Sequence, residues 1–266
     1  MTKNKKPSIS NRDLFDAYNK EIDRKVEENI LDKLSQAIPA AANLAAQTER
    51  GYIFIPFLSD EQTQKFQELE NYVIHGKRSS SGKYSDRIDC SDIISDPGRA
   101  KELTDFLNGV ISKIAENLEI DRSDPNKLGY IITSEFHKAE ENPYRNPMGW
   151  HADKKLDENN PDTVGINISI PILGAPTMFH ESNNQFYDIM RGRGSMMNID
   201  SVQKIDKPKP GQAALWKAAE YQHQNGALHS VPKIENQKQK RLSLIIMTSI
   251  PKIKLKEKEA GSFCKK

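Results

Sequence analysis

The chain has 266 residues, 36% apolar and 29% charged, which is enough apolar material for a packed core and excludes global disorder. The 39 Lys and Arg nearly balance the 37 Asp and Glu, and Lys3, Lys5, Lys6, Lys265 and Lys266 place much of the surplus at the ends, which argues against a dedicated nucleic-acid binder. Two cysteines, Cys90 and Cys264, are too few for a disulfide framework or a cysteine-rich zinc site, and no run has the length of a secretory signal or membrane span, so the expectation is one elaborated cytoplasmic domain.

From Asn11 to Gln36, apolar residues recur every four positions (Leu14, Tyr18, Ile22, Val26, Ile30, Leu34), predicting a long amphipathic helix that ends at Pro39. A short alanine-rich helix over Ala40 to Gln47 completes an N-terminal helical extension, residues 1–50. Tyr52 to Pro56 reads as a strand. Ser59 and Gln62 have capping-box spacing ahead of Phe66, Leu69 and Val73, so a helix follows at once. Arg78 to Asp89 is rich in Ser and lacks periodicity, which predicts a loop, and Asp96-Pro97 opens a helix carrying Leu103, Phe106, Leu107, Val110, Ile114 and Leu118.

Beyond Leu128 the texture changes to short apolar runs: Gly129 to Phe136, Val164 to Leu173, Thr177 to His180, Gly194 to Ile199, Ala213 to Trp216, Ala227 to Val231 and Leu242 to Ile250. Closely spaced strands predict a sandwich or barrel, so the fold class is mainly β with accessory helices. Residues 51–251 form the main domain, with a long polar stretch at 181–206 reading as an insertion, and 252–266 form a Lys-rich tail.

Three segments carry candidate chemistry. In Gly149-Trp150-His151-Ala152-Asp153 an imidazole and a carboxylate share one face of an extended segment. A second histidine, His229, sits in the apolar run Gly226 to Pro232. Two histidines and one carboxylate cover one face of an octahedral ion and leave three positions open, an arrangement suited to non-haem Fe(II), whereas a structural zinc site is closed. Two open positions suit the keto oxygen and carboxylate of a 2-oxo acid. Arg241 offers a paired hydrogen-bond grip on the far carboxylate, and Ser243 shares its strand face.

The order His-x-Asp, distal His, Arg-x-Ser resembles the Fe(II)/2-oxoglutarate-dependent oxygenase superfamily. Gly51 to Ser59 resembles its opening strand, and Pro210-Gly211 to Trp216 resembles the turn and strand before the distal His, so the likeness spans roughly 51–250. It implies a double-stranded β-helix (jelly roll, cupin-like) braced by the N-terminal helices, with His151, Asp153 and His229 on Fe(II) and Arg241 and Ser243 on 2-oxoglutarate. The implied reaction couples decarboxylation to succinate with oxidation of a substrate C–H bond, with ascorbate as reductant. Hydroxylation is the default outcome, and the carboxylate of Asp153 speaks against halogenation. The family places a tyrosine or asparagine beside the cosubstrate, which makes Tyr130 and Asn167, together with Thr133, candidates; no motif selects among them.

The expected partner is a small-molecule or amino-acid-like substrate, or a protein side chain, with no nucleic acid and no membrane. Other residues read more simply: His223 in a polar loop, His75, His137 and His180 without paired ligands, Trp150 and Trp216 as core aromatics, Arg191 and Arg193 as solvated loop residues. Two other readings stand beside the oxygenase. One is a cupin-type metalloenzyme that needs no 2-oxo acid, against which Arg241 and Ser243 speak; the other is a non-catalytic β-rich binding module.

Overall fold

A computed structural model describes residues 38, 42, 45, 51–74, 78–81, 88–120, 124, 126–134, 152–180, 205–219, 226–230 and 240–252. The expected helix over 11–36, the expected strand over 194–199, most of the insertion at 181–206 and the tail lie outside these residues. Ile38, Ala42 and Ala45 are helical and fully buried in the main core.

The described chain is mainly antiparallel β. Its strands are β1 (Tyr52–Pro56), β2 (Arg78–Ser81), β3 (Leu128–Thr133), β4 (Thr163–Leu173), β5 (Met178–His180), β6 (Ile205–Asp206), β7 (Gln212–Lys217), β8 (His229–Ser230) and β9 (Leu242–Pro251). A six-stranded sheet has the order β1-β7-β4-β9-β3-β2, and a three-stranded sheet has the order β6-β5-β8. The Tyr52 hydroxyl donates to Asp206 Oδ2 at 2.7 Å and ties the two sheets together.

Among the described residues, α1 (Asp60–Gln67) and α2 (Pro97–Asn117) pack against the large sheet. The capping box at α1 is formed: Ser59 Oγ accepts from Gln62 N, and Gln62 Oε1 accepts from Ser59 N, both at 3.1 Å. The expected continuation to Val73 is shorter, because the chain tightens into a 3₁₀ turn over Glu68–Asn71 and Val73 instead bridges to Ile94. At α2, Asp96 Oδ1 accepts from Arg99 N at 2.8 Å and Pro97 occupies the first turn, where its missing N–H costs nothing. The helix ends in a Schellman turn: Ile120 N–H reaches Ala115 O at 2.9 Å and Glu119 N–H reaches Glu116 O at 3.1 Å, with Glu119 in the left-handed region at φ 52°.

The alternation of the strands divides the core. Leu128, Tyr130, Ile132, Ile166, Ile168, Ile170, Leu242, Leu244 and Ile246 pack with Leu103, Leu107, Val110 and Ile114 of α2 in one cluster. The opposite face carries a smaller cluster in which Tyr52, Ala214 and Trp216 meet Phe179 of the small sheet.

The segment expected as a loop from Arg78 departs from that reading. Arg78–Ser81 pairs antiparallel with β3 as the edge of the large sheet. An edge strand has no partner beyond it, so it does not need the apolar alternation that marks interior strands. Cys90 is a buried free thiol, and burial pushes it up to about 11, so it stays protonated. Among the described residues no helix is long and apolar enough to cross a membrane.

Leu107 is fully buried between α2 and the sheet. Leu107→Ala is expected to lower the unfolding free energy by about 2–5 kcal/mol, read from urea denaturation.

Candidate functional site

The site forms on the face of the large sheet that looks toward the small one. Three residues at the end of β7 organise it. Ala219 N–H donates to Asp153 O at 2.6 Å, and Ala227 N–H donates to Lys217 O at 2.9 Å. The segments that carry Asp153 and His229 therefore dock on the same short stretch, 217–219. Neither approach tolerates bulk. A Cβ on Gly226 would sit 2.6 Å from Ala219 N, and one on Gly165 would sit 2.4 Å from the Cβ of Lys155.

Lys155 fastens the Asp153 segment a second time. It is 6% exposed, and its Nζ donates to Asn160 O and to Thr163 O and Oγ1. Backbone and hydroxyl oxygens thus take the place of water around a buried ammonium.

This docking brings His229 Nε2 within 3.2 Å of Asp153 Oδ2. His229 Nδ1 lies 3.1 Å from Ala227 O, a contact that only an Nδ1–H can make favourable, so the lone pair of the neutral ring is on Nε2. Two lone pairs then face each other at close range, and they are stable together only with a cation, either a proton or a metal ion, between them. The ring is held by Trp216, centroid distance 4.9 Å, and by Phe179 at 6.0 Å. The indole Nε1 of Trp216 is buried without a hydrogen-bond partner among the described residues. The Asp153 side chain keeps 29% of its surface exposed against 6% for His229, so the pair opens to solvent on the carboxylate side.

The donor set fits a divalent metal: one imidazole, its Nδ1 beside a backbone carbonyl, and one carboxylate. Among the described residues no third His, Cys, Asp or Glu completes a cluster. His151, the expected third ligand, lies outside the described residues.

A polar strip continues from this pair across an otherwise apolar face. Asn167, opposite Trp216 in register, donates from Nδ2 to Asp153 Oδ2 at 2.9 Å. Ser169 follows on β4, its Oγ 3.4 Å from Thr177 Oγ1. Arg241, 4% exposed, donates from Nε to Ala175 O at 2.9 Å and from Nη2 to Thr177 Oγ1 at 3.2 Å. Ser243 lies opposite both Thr133 and Pro171, and its fully buried hydroxyl has no hydrogen-bond partner among the described residues. An unpaired buried hydroxyl costs about 1–3 kcal/mol, which a bound acceptor recovers.

Tyr130 is not part of this strip. It lies opposite Ile246 in register and packs with Leu128 and Ile132 on the helix side of the sheet, the face away from Asn167 and Ser243. A one-residue step along a strand exchanges the faces, so Tyr130, expected as a candidate beside the cosubstrate, lies on the sheet face opposite Asn167 and Ser243. His180 likewise turns away, since its neighbour Phe179 is the residue opposite His229. Ala175, Ser169 and Thr177 carry no motif. Thr177 was legible only as part of an apolar run, and its role as a partner of Arg241 arises from contact across the fold. A separate cavity of about 320 Å³ beside α1, lined by Thr63, Gln67, Pro171, Lys207 and Pro210, includes none of the strip's polar residues.

No protein-family model matches the chain. No curated protein matches it in sequence. Among solved structures it is similar to an N-substituted L-amino acid dioxygenase from Burkholderia ambifaria AMMD, at 13% identity over 80% of this chain and 91% of that one, TM-score 0.35. It is similar to a viral collagen prolyl hydroxylase from Paramecium Bursaria Chlorella virus-1, at 11% identity over 75% and 96%, TM-score 0.35. A third similar structure is HygX from Streptomyces hygroscopicus with nickel and 2-oxoglutarate bound, at 10% identity over 77% and 84%, TM-score 0.38.

Gly226→Ala is expected to cost about 1–3 kcal/mol, because backbone at Ala219 must retreat from the new methyl group. Thermal unfolding reads this; an unchanged melting temperature would mean that the segments carrying Asp153 and His229 separate without penalty.

Proposed function

We propose that this protein is an Fe(II)- and 2-oxoglutarate-dependent oxygenase, with iron held by His151, Asp153 and His229 and the far carboxylate of the cosubstrate held by Arg241 and Ser243. The meeting of His229 Nε2 with Asp153 Oδ2, two acceptor atoms turned toward one point, carries this reading.

The strand order supports a double-stranded β-helix. The chain runs from β4 in the large sheet to β5 and β6 in the small one, returns to β7, crosses to β8 and returns to β9, the winding of a jelly roll. In this reading 1–50 is a helical extension, 51–251 the catalytic domain and 252–266 a tail, and the protein resides in the cytoplasm.

Iron, when bound, supplies the redox chemistry that couples decarboxylation of 2-oxoglutarate to succinate with hydroxylation of a substrate C–H bond. The chain supplies placement. Ala227 O holds the His229 tautomer that leaves Nε2 as a ligand. Ala175 O and Thr177 Oγ1 occupy the Nε and Nη2 side of Arg241 and so fix the direction of its end-on edge, which pairs with a carboxylate through parallel hydrogen bonds. Ser243 Oγ adds a donor that has no partner among the described residues. The apolar ring of Trp216 and Phe179 shields the histidine side of the site from water. The substrate is a small or amino-acid-like molecule, or a protein side chain.

Succinate release from 2-oxoglutarate, with Fe(II), ascorbate and oxygen and no added substrate, is the test. Wild type is expected to turn over, and His151→Ala and Arg241→Ala to lose that turnover. Metal binding without any effect of 2-oxoglutarate would favour a cupin-type enzyme, and absence of metal binding would favour a binding module. Ser243→Ala, which removes one neutral hydrogen bond, is expected to raise KM for 2-oxoglutarate about three- to tenfold at unchanged metal affinity.

A further inference from the structure

We infer that Asn167 is a positioning residue for the carboxylate of Asp153 and not a contact of the cosubstrate; this assignment rests on the oxygenase reading above. Its amide Nδ2 donates to Asp153 Oδ2 at 2.9 Å, and that same oxygen faces His229 Nε2. A carboxylate oxygen only accepts, so the amide must present its nitrogen here, whichever way its two ends are otherwise placed.

The two residues differ in how firmly their backbones are held. Asp153 lies outside the regular strands, in a segment held to the rest of the fold by the bond from Ala219 N–H and by Lys155. Asn167 sits in mid-strand on β4, paired with Trp216 of β7 on one side and Met247 of β9 on the other, and is 1% exposed. A side chain fixed by two neighbouring strands has few rotamers open to it, and one hydrogen bond from it removes the χ2 freedom of the carboxylate. The backbone bond from Ala219 sets where Asp153 stands, and Asn167 sets which oxygen points at His229. One lone pair of Oδ2 goes to the amide, and the other is left for the ion that Asp153 and His229 would hold.

The placement also separates Asn167 from the carboxylate grip. Ser169, two residues farther along the same strand face and about 7 Å away by strand rise, is the residue of β4 that reaches Thr177 and through it Arg241. Asn167 belongs to the metal end of the strip and Ser169 to the cosubstrate end.

Co(II) titration of the full-length protein separates these roles, with affinity read by competition with a chelator and coordination read from the visible absorption bands. Asn167→Leu keeps the size and removes the donor. It is expected to weaken Co(II) about 10- to 100-fold and to alter the visible bands. The metal-free variant should remain folded, with a melting temperature lowered by the loss of one hydrogen bond, and the affinity of the Co(II)-saturated protein for 2-oxoglutarate should stay within about twofold of wild type. If the leucine variant does not fold, Asn167→Ala serves for the same measurement. A variant that binds Co(II) as tightly as wild type overturns the assignment, and a fall in 2-oxoglutarate affinity with it would make Asn167 a cosubstrate contact instead. A wild-type protein that binds no Co(II) overturns the oxygenase reading and this assignment together, a result distinct from loss of the assignment alone.

Discussion

Two backbone hydrogen bonds at the end of β7, Ala219 N–H to Asp153 O and Ala227 N–H to Lys217 O, hold the candidate site together. Among the described residues, Asp153 lies outside the regular strands and His229 lies on the two-residue β8 of the small sheet. Stretch 217–219 continues a strand that is paired on both sides, by β1 and by β4. The segments that carry Asp153 and His229 therefore take their relative position from the large sheet. The small residues at the crossing, Gly165, Ala218, Ala219 and Gly226, are what allow backbones to approach this closely.

The large sheet separates stability from chemistry by its two faces. One face is covered by α2 and carries the larger apolar cluster, where burial of Leu, Ile and Val side chains stabilises the fold. The other face is apolar around Tyr52, Phe179 and Trp216, and is crossed by the polar strip from Asp153 and His229 through Asn167, Ser169 and Thr177 to Arg241 and Ser243. Buried polar groups are tolerated there because most of them bond to one another. Two that find no partner among the described residues, the Ser243 hydroxyl and the Trp216 indole nitrogen, lie on this face at opposite ends of the strip.

Much of the framework was legible from local chemistry. Ser59 and Gln62 announced α1, Asp96 and Pro97 announced α2, and the apolar runs at 164–173 and 242–250 became β4 and β9 almost to the residue. The edge strand Arg78–Ser81 was not legible, because its pairing with β3 depends on backbone and not on a pattern of side chains. Nor was the early end of α1, where the bridge of Val73 to Ile94 competes with helix continuation.

By itself the sequence determined which residue types are present at ligand-like spacing: a carboxylate at 153, an imidazole at 229 and a guanidinium and hydroxyl at 241 and 243. Periodicity also determined which segments could be strands and helices, because those patterns arise between covalent neighbours. Only the tertiary structure decided that Asn167 bonds to Asp153 while Tyr130 packs away from it, and that Arg241 is oriented by Ala175 and Thr177. The face on which a strand residue lies relative to a site is set by register between strands far apart in the chain, and a shift of one residue reverses it.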